Sequence, residues 1–303
     1  MEPIQDFAAL VSRLRSFKKR KRVVVVCPND AHTEYVIIRS LREGFADFLL
    51  VADTPHLLNA EYIRHQYPDH VSVYEASSPD KAAQEGVLLV RQGHADVLMK
   101  GIINTDNLLR AVLNKEYGLL PKGNVLSHVT VAQIPSYNKL LFFSDAAVIP
   151  RPGLAHFDAM IRYDVEICRR MGIPEPRVAL IHCTEKVNEK FPHTLDYVTL
   201  KERAEAGEYG NMHLDGPMDV KTACDSHSGE VKGIGSPVVG HADMLIFPNI
   251  ESGNTFYKAI SLFGDANMAG MLLGTTAPVV VPSRADSGNS KFYSLALACV
   301  CSE

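Results

Sequence analysis

Through its first half the chain alternates short apolar runs with helix-periodic segments, and this alternation restricts the fold more than any other feature. RVVVVCP is followed by HTEYVIIRSLREG and then FLLVAD; HVSVYEAS is followed by PDKAAQEGVLLVRQG, and DVLMKG by TDNLLRAVLNKEYG. Apolar runs of this length, each trailed by apolar residues three and four apart, are βαβ units, and successive units build a parallel sheet with helices on its faces. Ser78 ahead of Pro79 and Asp80 predicts a helix N-cap with proline at the first helical position, and Thr105 with Asp106 predicts a second cap. Both helices begin just beyond strand ends. In open parallel sheets ligands sit there, because helix N-termini present unpaired N–H groups and a partial positive charge, so small anions are favoured.

The pattern breaks at LSHVTVAQIPSYNKLLFFSDAAVIP, where two β-type runs flank the polar turn PSYN and predict an antiparallel hairpin or arm. After the punctuation PRPG come a helix (FDAMIRYDVEICRRMG), a strand (RVALIHC), a helix around LKERAEAGEYG, and then DMLIFP, MAGMLLG and APVVVP with helices between. The expected architecture is a two-lobed α/β fold with parallel and mixed sheets flanked by helices. Residues 1–145 with 270–303 form the first expected lobe, residues 146–269 the second, with a ligand cleft between them.

With 303 residues, 46% of them hydrophobic, the chain has enough apolar matter for one large core or two modest ones, which excludes disordered and fibrous classes. A formal net charge of -4 and a pI near 6.3 argue against a nucleic-acid partner, which would demand a basic face. The start, MEPIQDFAAL, lacks the plan of a signal peptide, and no apolar run approaches the roughly 20 residues of a membrane span, so a cytoplasmic protein with no membrane partner is expected. Six cysteines, at 27, 168, 183, 224, 299 and 301, show no C-x-x-C pair, so neither a metal site nor a disulfide framework is expected. The run KKRKR at 18–22 reads either as a solvated surface or as an attractor for a phosphorylated ligand.

Four stretches carry candidate chemistry. In PVVVPSRADSGNSKFYSLALA a buried-type strand delivers Ser283, Arg284, Asp286 and Ser287 into a small-residue loop, and an amphipathic helix is expected from about Ser290. The planar guanidinium of Arg284 suits bidentate phosphate binding; the alternative is an ion pair with Asp286. In FPNIESGNTFYKA a strand is expected to end at Pro248 and a loop at 252–255 to open a helix, with Gly253 admitting a ligand close to the backbone and Asn254 or Thr255 either capping the helix or binding; Lys258 lies one turn on. VLMKGIINTDNLL sets Lys100, Gly101, Asn104 and Thr105 between a strand and a capped helix, for anion contact or solvation. FFSDAAVIP places Ser144 and Asp145 at the end of an apolar run, where a carboxylate needs a partner, structural or in a site. No P-loop, H-E-x-x-H or G-x-G-x-x-G is present, and Ser283 lacks the surroundings of a nucleophile elbow.

Taken together, LMKGIINTDNLL, GNVLSHV, SDAAV, DGPMD, ADMLIFPNIESGNTFYKA and PVVVPSRADSGNSKFYSLALA resemble the phosphate acetyl/butyryltransferase family, its butyryl branch in particular. The resemblance implies that acyl-CoA and phosphate are interconverted with acyl phosphate and free coenzyme A. It also implies a fold like that of isocitrate and isopropylmalate dehydrogenases, no cofactor, and a homodimer or larger homo-oligomer. A thiol attacking an acyl phosphate must lose its proton while the phosphate is held and the oxyanion stabilised. Ser283 and Arg284 are expected to hold phosphate, Asp286 to take the thiol proton with Asp145 in reserve, and His128 to join the substrate-binding set. Lys221 and His241 stand where the branch has acidic residues. Phosphate acetyltransferase activity, a decarboxylating dehydrogenase on the same fold and a non-catalytic binder of coenzyme A or acyl phosphates are the alternative expectations.

Overall fold

A computed structural model describes residues 2–53, 57–283 and 286–302. The chain divides into two compact units: Phe7–Asn124 with Ala269–Glu303, and Met1–Asp6 with Val125–Met268.

Phe7–Asn124 opens with α1 (Phe7–Arg15) and continues β1 (Lys21–Val26), α2 (Ala31–Glu43), β2 (Ala46–Asp53), α3 (Leu57–Gln66), β3 (Val71–Ala76), α4 (Pro79–Arg91), β4 (Val97–Lys100) and α5 (Thr105–Val112). β1 pairs in parallel with β2 and β4, and β2 with β3. The expected βαβ series is therefore present. Its core is the run Val23–Val26, fully buried on β1, against Leu50, Val51, Val97, Leu98 and Met99. The cap expected at Ser78 forms, its side chain accepting the Lys81 N–H with Pro79 at the first turn.

Val125–Met268 contains β5 (Ser127–Gln133), β6 (Leu141–Ser144), α6 (Leu154–Arg170), β7 (Arg177–Ile181), α7 (His193–Glu205), β8 (His213–Met218), the short helices α8 (Val220–Cys224) and α9 (Ser226–Lys232), β9 (Met244–Ile246) and α10 (Ile250–Phe263). β5 and β6 form the expected antiparallel hairpin, with Val131 opposite Phe142. β6 then runs parallel to β9, β9 to β7 and β7 to β8, so the sheet is mixed. This pairing puts residues 127–144 with the 125–268 unit, so the division falls at 124/125 rather than at the expected 145. Phe143, Leu245, Ala179, Met218 and Val239 are its buried centre, and the Phe143 ring meets Phe247 and Phe256 edge-on.

The chain returns to the first unit through β10 (Asn267–Leu273), β11 (Val279–Val280) and α11 (Gly288–Cys301). β11 lies parallel to β4 and antiparallel to β10. α11 is not the amphipathic helix expected from about Ser290: it starts at Gly288, and Phe292 and Leu295 to Cys301 are buried, because the helix packs on α2 and α1. Tyr293 stacks on Phe7 at 4.4 Å, and the Arg39 guanidinium lies 3.8 Å over the Phe292 ring. Among the described residues, no helix is long and apolar enough to cross a membrane.

Candidate active site

Each unit carries its own group of candidate residues. In the 125–268 unit the parallel strands β6, β9 and β7 end level with one another: Ser144 is in register with Ile246, and Ile246 with Leu180. Asp145 follows β6 directly and is almost fully buried. Its Oδ2 accepts the Ser127 hydroxyl and the His128 N–H, both at 3.0 Å; its Oδ1 accepts the Ala147 and Val148 N–H groups at 2.7 and 2.8 Å. Four donors on a buried carboxylate leave no oxygen directed at a substrate proton. Asp145 ties β5 to the turn after β6, which is the structural one of its two expected roles, and it is a poor candidate for a base.

Beneath it, proton counting assigns the state of a second acid that the sequence did not single out. The Ser144 hydroxyl is 3.0 Å from the His128 carbonyl oxygen and 3.1 Å from Asp164 Oδ1. A hydroxyl has one hydrogen, and a carbonyl only accepts. Both contacts are satisfied when Ser144 donates to His128 and Asp164, protonated, donates to Ser144. Asp164 is fully buried and its Oδ2 has no hydrogen-bond partner. Burial first, and the neighbouring charge of Asp145 in addition, raises its pKa well above the ordinary carboxylate range. Asp164 is therefore held neutral in the fold.

Helix α10 begins earlier than the sequence predicts. Asn249 is its N-cap, its Oδ1 accepting the Ser252 N–H at 2.8 Å, so residues 252–255 belong to the helix and form no loop. Gly253 is needed for packing: a Cβ there would meet the Asp145 carbonyl oxygen at 2.4 Å. Asn254 does not cap; its amide donates to the Ala146 carbonyl at 3.0 Å, fixing the same turn from the other side. Thr255 and Lys258 share an exposed face of the helix with Asn254, and the Lys258 ammonium lies 4.9 Å over the Tyr257 ring. The His128 ring, half-buried, is 3.5 Å from the Thr130 hydroxyl. Lys221 is exposed on α8, and the His241 carbonyl accepts from Lys139.

In the other unit, Lys100 ends β4 buried, its ammonium donating to the carbonyls of Gly101 and Ile103 at 3.1 and 3.0 Å. Lys100 thus holds the chain at the entrance to α5. Gly101 is obligatory there, since a Cβ would fall 2.1 Å from the Cys27 carbonyl oxygen. The N-cap of α5 is Asn104 and not Thr105, which is the first helical residue; both are exposed. A cavity of about 270 Å³ opens here, lined by Cys27, Asp53, Pro79, Ile102, Asn104 and Asn107 among others. It brings the N-termini of α4 and α5 together, as the sheet topology requires.

The loop after β11 is closed by Asp286, whose Oδ2 accepts the Ser283 N–H at 2.8 Å while its own N–H donates to the Ser283 carbonyl. Ser287 caps α11, accepting the Ser290 N–H at 3.1 Å. Arg284 lies outside the described residues. One turn into α11 stands Lys291, buried, with its ammonium 3.3 Å from Asp30, the N-cap of α2. Sequence reasoning missed this pair and Asp164. Both left a local signal: Lys291 is the one charged residue in α11, and Asp164 falls on the buried stripe Phe157, Met160, Ile161, Val165, Cys168.

The family model described as phosphate acetyl/butaryl transferase matches residues 60–299. The chain belongs to that family. It is 35% identical over 295 residues to the phosphate butyryltransferase of Clostridium acetobutylicum, covering 97% of each chain. It is 34% identical to the phosphate acetyltransferase of Thermotoga maritima, covering 93% of this chain and 95% of that one. Among solved structures, a branched-chain phosphotransacylase from Enterococcus faecalis V583 superposes with a TM-score of 0.82 at 28% identity, covering 93% of this chain and 99% of that one. The family resemblance carried by the S-R-A-D and S-G-N stretches and the α/β fold thus stand. Within the motifs, Gly253, Asn254 and Asp145 prove to be the parts that lock α10 onto the turn after β6.

Proposed function

We propose that this chain interconverts butyryl-CoA, or a coenzyme A thioester of similarly short acyl chain, and inorganic phosphate with the acyl phosphate and free coenzyme A. The observation that carries the reading is the near full-length likeness to a phosphate butyryltransferase within the family. The reaction exchanges one nucleophile on an acyl carbon for another and changes no oxidation state, so the reading includes no redox or nucleotide cofactor; coenzyme A and phosphate are substrates. Its demands are a held phosphate, a stabilised oxyanion and an acceptor for the thiol proton. Arg284 and Ser283 are proposed to hold phosphate. Asp286 is the proposed proton acceptor; Asp145, expected in reserve, is committed to structure by its four donors. A thiol titrates near pH 8.5 and only its thiolate is nucleophilic, so an acceptor is needed at neutral pH.

The same reading includes a cytoplasmic homodimer or larger homo-oligomer, and a likeness of fold to the isocitrate and isopropylmalate dehydrogenases. Phosphate acetyltransferase activity is the second reading, supported by the 34% identity to the Thermotoga maritima enzyme. The test is phosphorus NMR of butyryl-CoA with inorganic phosphate, in the presence and absence of a chelator. An acyl-phosphate resonance that grows at the same rate in both supports the reading. No resonance with butyryl-, acetyl-, propionyl- or isobutyryl-CoA overturns it.

A further inference from the structure

The six cysteines differ sharply in setting. Cys27, Cys168, Cys299 and Cys301 are buried, Cys224 is half-buried, and only Cys183 is exposed. Burial pushes the Cys27 thiol up to about 12 and that of Cys224 to about 11, which keeps both protonated and inert. Cys183 instead stands beside a built pair of imidazoles. Its Sγ is 3.7 Å from His182 Nε2, and the other ring nitrogen of His182, Nδ1, is 3.1 Å from His193 Nε2.

The pair is held from several directions. The His182 N–H donates to the Met218 carbonyl at 2.8 Å, which fixes the residue just past β7. Its ring packs edge-on against Phe191 at 4.7 Å and against His193 at 4.9 Å, and the His193 ring packs on Tyr197 at 5.4 Å. His182 is 7% exposed, and desolvation lowers its pKa; His193 is lowered by desolvation and by the charge His182 would carry. Both rings are therefore held neutral, the form in which an imidazole accepts a proton.

The hydrogen-bond chain then has a direction. When His182 Nδ1–H donates to His193 Nε2, His182 Nε2 presents its lone pair to the thiol, so His193 orients the base and His182 receives the proton. The opposite tautomer would turn an N–H on the sulfur and leave the thiol proton no acceptor. The cluster also leaves the sheet at a defined place. Leu180, Ile246 and Ser144 are in register, so β7 and β6 end on the same rim, two strand spacings or roughly 10 Å apart at Leu180 and Ser144, with Cys183 and Asp145 in the segments that follow.

We propose that Cys183, His182 and His193 form a thiol-modification site that reacts with disulfides of small thiols. The step balances as a thiol–disulfide exchange. The Cys183 S–H proton passes to His182 Nε2, the thiolate attacks one sulfur of R–S–S–R, a Cys183–S–S–R bond forms as the S–S bond of the reagent breaks, and R–S⁻ takes the proton from His182 and leaves as R–SH. Cys183 is oxidised and the reagent's departing half is reduced. The proposal is independent of the acyl-transfer reading, and so is its test.

The probe is the aromatic disulfide DTNB, added in excess to the native chain at neutral pH, with the adduct located by peptide mass spectrometry. The expected result is a fast phase mapped to Cys183, about tenfold or more faster than N-acetylcysteine amide under the same conditions, and reversed by dithiothreitol. Cys183→Ser abolishes the phase, and His182→Gln slows it about tenfold or more. Should His182→Gln fail to fold, the half-buried His193→Gln decides, with an expected slowing of about threefold or more. Cys183 reacting no faster than the free thiol, or a folded histidine variant reacting within about twofold of the parent, would mean that exposure alone governs this thiol and would overturn the proposal.

Discussion

Replacing Asp164 by asparagine tests the proton count at the heart of the Asp145 region. Asparagine is close in shape to a protonated aspartic acid, and its amide can donate to Ser144 Oγ in place of the carboxyl O–H. It brings a second N–H that the fully buried position does not satisfy, which costs about 1 kcal/mol at any pH. The wild-type acid carries a cost that varies with pH. Its folded pKa lies well above the unfolded value near 4, so at low pH both states are neutral and no penalty exists. As pH rises through the unfolded pKa, the unfolded chain releases a proton that the folded chain retains. The wild type then loses about 1.4 kcal/mol of stability per pH unit until the folded pKa is reached. The variant has no such loss. In thermal scans from pH 5 upward, the melting temperature of Asp164→Asn minus that of the parent should rise with pH by roughly 2–4 °C per unit, for a chain of this size, until the folded pKa is reached. A difference that stays flat across the series, or falls, would show that Asp164 is ionised in the fold and would refute the hydrogen-bond assignment through Ser144.

Other substitutions separate structure from chemistry. Asp145→Ala strands the Ser127 hydroxyl, the His128 N–H and two N–H groups in the following turn, so melting temperature and turnover should fall together, by at least about 3 kcal/mol in stability; loss of turnover with an unchanged melting temperature would restore Asp145 as a base. Gly253→Ala puts a Cβ 2.4 Å from the Asp145 carbonyl oxygen, and is expected to destabilise by about 1–3 kcal/mol in denaturant titrations, whereas an unchanged midpoint would mean that α10 is not locked to that turn. Arg284→Lys keeps the charge but removes the planar fork, so turnover with acyl phosphate should drop on the order of 10 to 1000-fold at a constant melting temperature; kinetics within about twofold of the parent would place Arg284 outside the phosphate site.

What could be read from the sequence was what local pattern determines. The run around Val23–Val26 declared itself as a strand because β-branched residues crowd it, Val97–Lys100 because it is a short apolar run ending at Gly101, and Ser78–Pro79 declared a helix start because cap and proline chemistry are local. β8 escaped because HLDGPM sets Gly216 and Pro217 inside a strand, and α10 was placed late because Ser-Gly-Asn mimics a loop while the true cap, Asn249, precedes it. The partners of the site residues were hidden for a different reason. Two of the four donors on Asp145 come from 17 and 18 positions upstream, and Lys291 pairs with an acid 261 positions away. No spacing rule spans such distances, so the sequence named Asp145 as an acid in need of partners without revealing that four donors already supply them.

The central claim is tested most directly by the initial rate of thioester formation from coenzyme A and a series of acyl phosphates: acetyl, propionyl, butyryl and isobutyryl. The account predicts thioester product with the short chains, without added nucleotide or metal, and the highest kcat/KM for the four-carbon members. No thioester from any of the four would contradict it.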